Sequence, residues 1–140
     1  MDEKSVGIWI TDILDAIAGL RSFVGDMTYD EYLEDLKTRY AVRHAILIIS
    51  EAVRHLPVYM TDRFPEIQWQ NIRAIGNRLR HEYGSVDDAI LWPIARQDVD
   101  RLELVVRQLL DDPSAAGGIG DVPEAAFFQQ HMLRVAREAA

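Results

Sequence analysis

The chain has 140 residues, of which 49% are hydrophobic and 27% charged, a composition typical of one globular domain rather than a disordered chain. Cysteine is absent, which excludes disulfide frameworks, thiolate zinc sites and thiol nucleophiles. The net charge of −8 repels a polyanion unless basic side chains are concentrated in one place.

The first two helices are predicted from apolar residues that recur at helical spacing. The first runs from Val6 to Phe23. Thr28 and Glu31 then form a capping-box pattern, in which each side chain bonds the backbone N–H of the other residue. A long second helix is therefore predicted to follow and to reach about His55, before Pro57. Its second half is apolar over much of its circumference, which predicts burial on more than one side.

A third helix is predicted to begin near Pro65, a residue suited to a first helical turn. Apolar residues continue at helical spacing from Ile67, and the pattern ends at about His81 or Tyr83. Gly84 is interpreted as the residue that ends this helix.

A second cap signal, Ser85-Val86-Asp87-Asp88, predicts a fourth helix that runs to about Leu110. Asp87 and Asp88 are interpreted as cap residues rather than metal ligands, because negative charge is favoured at a helix N-terminus. Pro93 lies inside the pattern and indicates either a kink or a later start of the helix.

The domain organisation follows from these elements. Residues 1–112 are predicted to form the helical domain, and residues 113–122 a flexible linker. Residues 123–140 are predicted to form one short helix, because apolar residues recur there at helical spacing, or to be a mobile tail. No strand pattern flanked by hairpin turns is visible in the sequence. The predicted fold is all-α, an up-and-down four-helix bundle with a short C-terminal helical tail.

The densest polar segment lies near the end of the third helix and contains Arg73, Asn77, Arg78, Arg80 and His81. At about 100° per residue, these side chains fall on neighbouring stripes of the helix and can converge on one ligand. Guanidinium groups pair with phosphate oxygens, and histidine can move a proton near neutral pH, so the set suits cleavage of an RNA phosphodiester. The alternative is a solvated face whose histidine caps the helix C-terminus, where the helix dipole favours a cation.

The segment Asn77-Arg78-Leu79-Arg80-His81-Glu82-Tyr83 resembles the signature of HepT-like proteins of the HEPN superfamily. In that signature an Arg-Asn pair precedes a leucine and a His-x-Tyr. Trp69 matches the family's usual tryptophan before this helix, and Ser50-Glu51-Ala52 matches the Gly/Ser-Glu-Ala element that ends the second helix. The resemblance covers about Val6 to Leu110 and leaves the tail outside.

The resemblance implies a metal-independent endoribonuclease that needs no cofactor and whose site forms between two protomers of a homodimer. Association of such dimers into a higher assembly is left open. It implies that His81 takes part in proton transfer while the ribose 2′-hydroxyl attacks, and that Asn77 orients the phosphate or the histidine. One of three arginines would stabilise the phosphate charge: Arg73, Arg78 or Arg80.

The resemblance also implies a partner. HepT-like toxins are paired with a minimal nucleotidyltransferase antitoxin that adenylylates the tyrosine of His-x-Tyr, which here is Tyr83. This modification would place a bulky anionic group where RNA should bind. The alternative for Tyr83 is an aromatic side chain at the helix end that packs in the cleft.

One position departs from the family pattern. Four to six residues separate the family's catalytic arginine from the histidine, a window that here contains Ala74, Ile75 and Gly76. Gly76 occupies the position next to Asn77. A second hypothesis is therefore a catalytically inactive module that binds a nucleotide or its antitoxin.

For two other groups of residues, a structural role is predicted rather than a ligand site. Glu51 and His55 share an i, i+4 face, but the matched Glu-x-x-His motifs of a metal-binding bundle are missing, so this pair is predicted to lie at the bundle edge. No metal site is expected. The three tryptophans are predicted to pack in the core rather than form a base-stacking platform: Trp9, Trp69 and Trp92.

The first residues, Met1-Asp2-Glu3-Lys4, are mostly acidic, and no apolar run approaches the ~18 residues that span a bilayer. These features predict neither a leader nor a membrane anchor. A cytoplasmic protein with an RNA substrate and no membrane partner is expected.

Overall fold

The computed structural model describes residues 3–111, and this part of the chain contains helices and no strand. The α-helices are α1 (Glu3–Val24), α2 (Tyr29–Glu34), α3 (Leu36–Arg54), α4 (Val58–Thr61), α5 (Trp69–His81), α6 (Asp88–Pro93) and α7 (Val99–Asp111). The predicted all-α bundle is confirmed. The predicted linker and tail helix lie outside the described residues. None of the helices between Glu3 and Asp111 is long and apolar enough to cross a bilayer.

The four longest helices, α1, α3, α5 and α7, alternate in direction. Trp9 near the start of α1 stacks on His55, which follows α3, with ring centroids 4.2 Å apart. At the other end of the bundle, Arg21 of α1 forms ion pairs of 2.6 Å with both Asp100 and Glu103 of α7. These contacts make α1 antiparallel to both neighbours. The end of the bundle where α3 and α7 begin and α5 ends is called the upper end below.

The core lies between α1, α3 and α7. Burying each large apolar side chain contributes roughly 1.5–3 kcal/mol relative to leaving it in water. Side chains with less than 2% exposure include Ile10, Ile13, Ile17 and Leu20 of α1, Val42 and Val53 of α3, and Val106 and Leu109 of α7. Helix α3 packs against α1 on one side and α5 on the other, which confirms that it is buried on more than one side.

The prediction of one long second helix is wrong, because the helix is interrupted at Asp35. Thr28 and Glu31 form the predicted capping box, but the helix they open ends at Glu34. Asp35 has extended backbone angles (φ −107°, ψ 90°), and its carboxylate accepts the backbone N–H of Thr38 at 3.0 Å. An aspartate that caps a new helix therefore divides the predicted element into α2 and α3.

The third helix begins at Trp69, so the predicted start near Pro65 is wrong. The short helix α4, which the sequence analysis did not predict, and a series of turns precede it. The indole N–H of Trp69 donates to the carbonyl of Phe64 at 3.0 Å, which stabilises these turns. Trp69 is buried, and Trp9 and Trp92 are partly buried against the core, as predicted for packing residues.

Pro93 lies inside the fourth predicted helix, and the chain stays helical through it. Helix α6 includes Pro93, a π-helical turn follows from Ile94 to Asp98, and α7 continues from Val99. Proline has no N–H to donate to the carbonyl four residues earlier, so the regular hydrogen-bond ladder is interrupted here. The single predicted helix is therefore two helices joined by a π-helical turn.

Asp15 is a buried acid in the middle of α1. Its side chain is 8% exposed, and its Oδ1 accepts no hydrogen bond from any described residue. Burial, together with the nearby charge of Asp12, raises the pKa of the Asp15 carboxyl to about 7. A carboxyl with this pKa binds its proton more tightly in the folded chain than in the unfolded one.

We expect Asp15→Asn to stabilise the protein at pH 8 and to leave it almost unchanged at pH 4. The raised pKa means that the contribution of Asp15 is fully present below about pH 4 and declines as the pH rises towards 7. The loss reaches about 4 kcal/mol at most. Urea denaturation of both proteins between pH 4 and 8 measures the difference. Asp26→Asn, at an exposed position, is the control. A pH-independent difference would contradict the assignment.

Candidate functional site

The C-terminal end of α5 carries the predicted histidine. The helix ends at His81, which confirms the earlier of the two predicted ends. The backbone leaves the helix at Glu82 (φ −139°, ψ 48°), and Tyr83–Ser85 form a 3₁₀ turn. Gly84 does not end the helix, and its φ is not positive, so its interpretation as the terminating residue is wrong.

A buried carboxylate lies beneath this turn. Asp88 accepts hydrogen bonds from the Tyr32 hydroxyl (2.7 Å) and from Arg39 Nε (3.1 Å), and its Oδ1 lies 3.2 Å from Arg43 Nη2. Asp87 caps α6, as predicted, because its carboxylate accepts the backbone N–H two residues later. The interpretation of Asp88 as a cap residue is wrong, because its carboxylate pairs with α2 and α3 instead.

The ionisation of Asp88 follows from these partners. Burial alone would raise the pKa of its carboxyl, but the hydrogen bond from Tyr32 and the charges of Arg43 and Arg39 hold the pKa below its usual range. Burial and the bond to Asp88 raise the pKa of Tyr32, which remains a neutral donor. The carboxylate is therefore charged at neutral pH and keeps both arginines paired.

Arg43 connects the buried carboxylate to the turn after α5. Its side chain is 7% exposed, and it donates to the carbonyl oxygens of Val86 (2.8 Å) and Tyr83 (3.3 Å). Its guanidinium carbon also lies 5.1 Å from the centroid of the Tyr83 ring, a cation–π distance. Both the backbone and the ring of Tyr83 are thus held against α3.

The Tyr83 ring itself reaches the surface. It is half exposed, and its centroid lies 6.5 Å from that of Tyr40 on α3, with the two ring planes at 70°. An edge-to-face arrangement at this distance is a favourable aromatic contact. Tyr83 therefore contacts α3 through both Arg43 and Tyr40 and is not buried in the core.

The predicted polar stripe runs along the outer side of α5. Asn77 and His81 are exposed and Arg73 is half buried. No hydrogen bond or ion pair among residues 3–111 engages the side chains of these three residues. With a rise of 1.5 Å per residue, Arg73 lies about 12 Å from His81 along the helix axis. The backbones of the two residues are therefore about two helical turns apart.

The other two arginines lie closer to the histidine. Arg78 Nη2 donates to the carbonyl of Ser85 at 3.0 Å and so braces the turn. Arg80 Nη1 pairs with Glu51 Oε2 of α3 at 2.9 Å. Along the axis, Arg78 and Arg80 lie about 4.5 and 1.5 Å from His81. These arginines place positive charge at the helix end, where the helix dipole also favours it.

Glu51 and His55 form an edge pair, as predicted. Glu51 Oε1 lies 3.3 Å from His55 Nε2, and its other oxygen accepts from Arg54 and Arg80. Burial acts to raise the pKa of Glu51, but the bond to His55 and the charges of Arg54 and Arg80 outweigh it, and the pKa is lowered. In the described part of the chain, no three side chains of metal-ligand type are grouped to hold an ion.

Gly76 lies where α5 crosses α3 most closely. A Cβ built on Gly76 would lie 1.8 Å from Ser50 Oγ and 2.3 Å from Ser50 Cβ. The hydroxyl of Ser50 also bonds the carbonyl of Arg73 at 3.4 Å across the same contact. Gly76 is therefore required by helix packing, and a side chain on this backbone would point into α3 rather than towards solvent.

Sequence reasoning missed three residues of this region: Tyr40, Arg43 and Asp88. Arg43 had a local signal, because an arginine within the apolar half of α3 needs a buried partner. That partner, Asp88, is 45 positions away and was assigned to a cap. No local pattern connects Tyr40 with Tyr83.

An apolar groove of about 650 Å³ lies on another side of α5, between this helix and the segment that follows α6. Ile46 and Ile49 of α3 line it together with Ile72 and Ile75 of α5. Arg78 also lines it, so this arginine lies between the groove and the turn after α5. The exposed residues His81 and Tyr83 do not line it.

Comparison with known proteins gives a family match that covers most of the bundle. The profile of the ribonuclease HepT-like family matches residues 13–109. This region includes α3, α5 and the turn that follows α5. It ends before residue 112, so the residues outside the described range are also outside the matched region.

This chain covers 86% or more of the length of three curated relatives. A "Putative RNase" of Methanocaldococcus jannaschii is 30% identical over 113 residues, which are 78% of this chain and 93% of that protein. A second "Putative RNase" of that organism is 31% identical over 74% of this chain and 94% of its own. The "Probable ribonuclease HepT" of Thermococcus cleftensis is 32% identical over 68% and 86%. No solved structure gives a significant match.

We expect Gly76→Ala to destabilise the protein by about 1–3 kcal/mol or more, because its methyl group overlaps Ser50 and the two helices must separate. Adding Ser50→Gly should restore part of the loss, since it removes both overlapping atoms. Urea denaturation measures each variant. Gly84→Ala is the matched control, because a Cβ there meets no atom within 4 Å. Equal stability of the two alanine variants would contradict the crowded crossing.

We expect Asp88→Ala to lower the free energy of unfolding by about 3–5 kcal/mol at pH 7, because it leaves the buried charge of Arg43 without its partner. The lowered pKa means that Asp88 stabilises the fold above pH 3.8 and that this contribution is lost as the pH falls through its folded pKa. Urea denaturation at pH 7 and pH 3 measures both effects. Glu34→Ala, an exposed acid, is the control. A loss below about 1 kcal/mol would contradict a buried pair of this kind.

Proposed function

Because the chain belongs to the HepT-like ribonuclease family, we propose that it is a metal-independent endoribonuclease and the toxin of a toxin–antitoxin pair. The position of His81 carries the proposal. This residue is exposed at the C-terminal end of α5, with Arg78 and Arg80 in the same turn of the helix. A histidine that can transfer a proton, beside fixed positive charge, is one arrangement that cleaves a phosphodiester without a metal.

The proposed reaction is attack of a ribose 2′-hydroxyl on the adjacent phosphorus. The 2′-oxygen forms a bond to phosphorus while the bond to the 5′-oxygen breaks, which leaves a 2′,3′-cyclic phosphate and a 5′-hydroxyl. A ring nitrogen of His81 accepts the 2′-proton, and the 5′-oxygen takes a proton from an acid. In the proposed homodimer, a second copy of His81 is available as that acid.

The arginines of α5 lie at different distances from His81 along the helix. Arg78 and Arg80 lie within one turn of His81 along α5, and we assign to them the stabilisation of the negative charge that develops on the phosphate. Arg80 would exchange its partner Glu51 for the phosphate. Arg73 lies about two turns away, so it contacts a neighbouring phosphate of the same strand. Asn77 lies between them on the exposed side and orients the phosphate or His81.

The net charge of −8 opposes RNA binding unless the positive charge is local. Three arginines within residues 73–80 meet that condition. The proposed homodimer brings two such segments into one cleft and doubles the local charge. Binding should then weaken steeply as the salt concentration rises.

The proposed partner is a minimal nucleotidyltransferase antitoxin that adenylylates Tyr83. The Tyr83 oxygen attacks the α-phosphorus of ATP, its proton passes to a base, and pyrophosphate leaves. The half-exposed ring of Tyr83 and its anchorage by Arg43 support this assignment, because the hydroxyl is presented on a fixed turn. The added group is bulky and negatively charged, and it lies two residues from His81, where it opposes RNA binding.

The competing hypothesis of an inactive module rests on Gly76. In this chain Gly76 is packed against Ser50, so the absence of an arginine there has a packing reason. That contact explains why a glycine is present, and in the proposed mechanism Arg78 and Arg80 supply the positive charge that an arginine at this position would carry.

We expect the purified protein to cleave single-stranded RNA in excess chelator and His81→Ala to lower the cleavage rate by at least about 100-fold, since proton transfer by a positioned side chain contributes about 10²–10⁴. The measurement is initial rate on a labelled RNA, with DNA of the same sequence beside it. DNA should remain intact, because it lacks the 2′-hydroxyl.

His55→Ala is the matched control, because His55 lies at the opposite end of α3 and is stacked on Trp9. It should cleave at the wild-type rate if its circular dichroism is unchanged. Equal cleavage by the wild type and His81→Ala, or cleavage that disappears with chelator, would contradict the mechanism. A folded wild-type dimer that cleaves no RNA would favour the inactive module.

A further inference from the structure

Three large apolar side chains are exposed on one part of the upper end. Leu36 and Tyr40, one turn apart on α3, are 52% and 54% exposed, and Tyr83 is 47% exposed. Tyr40 and Tyr83 touch, with centroids 6.5 Å apart and ring planes at 70°. The two rings therefore form a corner of two aromatic surfaces at a large angle to each other.

The corner is rigid on the Tyr83 side. Arg43 bonds the Tyr83 carbonyl and lies 5.1 Å from its ring centroid, and Arg43 is itself fixed by Asp88 and the Val86 carbonyl. Tyr40 belongs to the first half of α3, a regular helix. A ligand that enters the corner meets surfaces that are already ordered, so little conformational entropy is lost on binding.

Basic groups border the corner. Arg78 donates to the Ser85 carbonyl of the same turn at 3.0 Å, and His81 ends α5 two residues before Tyr83. Arg39, which pairs with Asp88 at 3.1 Å, adjoins Tyr40. The exposed acid Glu82 lies between His81 and Tyr83. A ligand with a flat neutral face and flanking anionic groups fits aromatic rings beside arginines better than a purely apolar ligand does. An unpaired nucleotide within an RNA strand has this combination.

We propose that Tyr40 and Tyr83 form a nucleobase subsite, in which one unpaired base stacks on Tyr40 against the Tyr83 ring while adjacent phosphates contact the arginines of α5. The inference rests on the proposed ribonuclease function and names the contact for which the RNA must be unpaired. A base within a duplex is stacked on both faces and cannot enter the corner without leaving its helix.

The test is a cycle of paired changes in protein and RNA. The full-length His81→Ala protein, which should bind without cleaving, is titrated into a labelled unstructured RNA and into copies with one base removed at each position in turn. Tyr40→Ala in this background should weaken binding of the intact RNA about 5- to 100-fold, the range for loss of one stacked base. At one position of the RNA, removing the base should lower the affinity of the protein that retains Tyr40. Removing the same base should not lower the affinity of the Tyr40→Ala variant any further.

Two control variants separate stacking from general damage. Tyr40→Trp should retain most of the affinity, because indole also stacks on a base. Tyr59→Ala removes a similarly exposed tyrosine, 55%, from α4 at the opposite end of the bundle and should change the affinity less than twofold.

Each other outcome overturns the subsite. In one outcome the wild type binds and cleaves RNA, but Tyr40→Ala changes the affinity less than twofold, or the losses from Tyr40→Ala and from base removal add at every position. The proposed subsite is then wrong, and the proposed ribonuclease function is retained. If Tyr40→Ala alters only self-association in sedimentation, the corner contacts another protein chain. If no variant, including the wild type, binds RNA, both proposals fail.

Discussion

A buried ion pair between Arg43 and Asp88 organises the end of the bundle that carries the candidate site. Two opposite charges at 3.2 Å in a nearly water-free environment are stable only if their remaining hydrogen-bonding groups are also satisfied. Here Tyr32 and Arg39 donate the remaining hydrogen bonds to the carboxylate, and two carbonyl oxygens of the turn after α5 accept hydrogen bonds from the guanidinium. The pair therefore joins α2, α3 and α6 to the turn that contains Tyr83.

The crossing of α3 and α5 controls which side of α5 faces solvent. Gly76 allows the two backbones to approach at Ser50, and this contact orients the rest of the helix. Buried Leu79 shares the inner side of α5 with Gly76, whereas Asn77 and His81 are exposed on the outer side. A departure from the family pattern thus has a physical origin in packing.

Charge is distributed unevenly in this acidic protein. Several arginines are paired with carboxylates within the fold, as in the pairs of Arg21 with Glu103 and Arg43 with Asp88. Others lie at the end of α5, where the helix dipole also favours positive charge. This local concentration of positive charge supports the proposed contact with RNA phosphates. The exposed rings of Tyr40 and Tyr83 beside it supply the flat aromatic surfaces proposed to contact a base. The two features suit different parts of one nucleotide.

Some of this architecture was readable from sequence because the interactions are local. The capping box of Thr28 and Glu31 links residues three apart and was predicted correctly. The end of α5 at His81 was one of two predicted ends. Asp35 was missed although its signal is also local, because a capping aspartate inside a long helical pattern resembles an ordinary polar position.

The sequence by itself determined the all-α class, the helix pattern apart from its breaks, and the His81–Tyr83 segment that resembles the family signature, since these depend on spacing along one helix. Only the tertiary structure decided that Gly76 packs on Ser50, that Asp88 pairs with Arg43, and that Tyr83 meets Tyr40. The physical reason is distance along the chain. These contacts join residues 26 to 45 positions apart, so their energies depend on how helices pack and not on the residues adjacent in sequence.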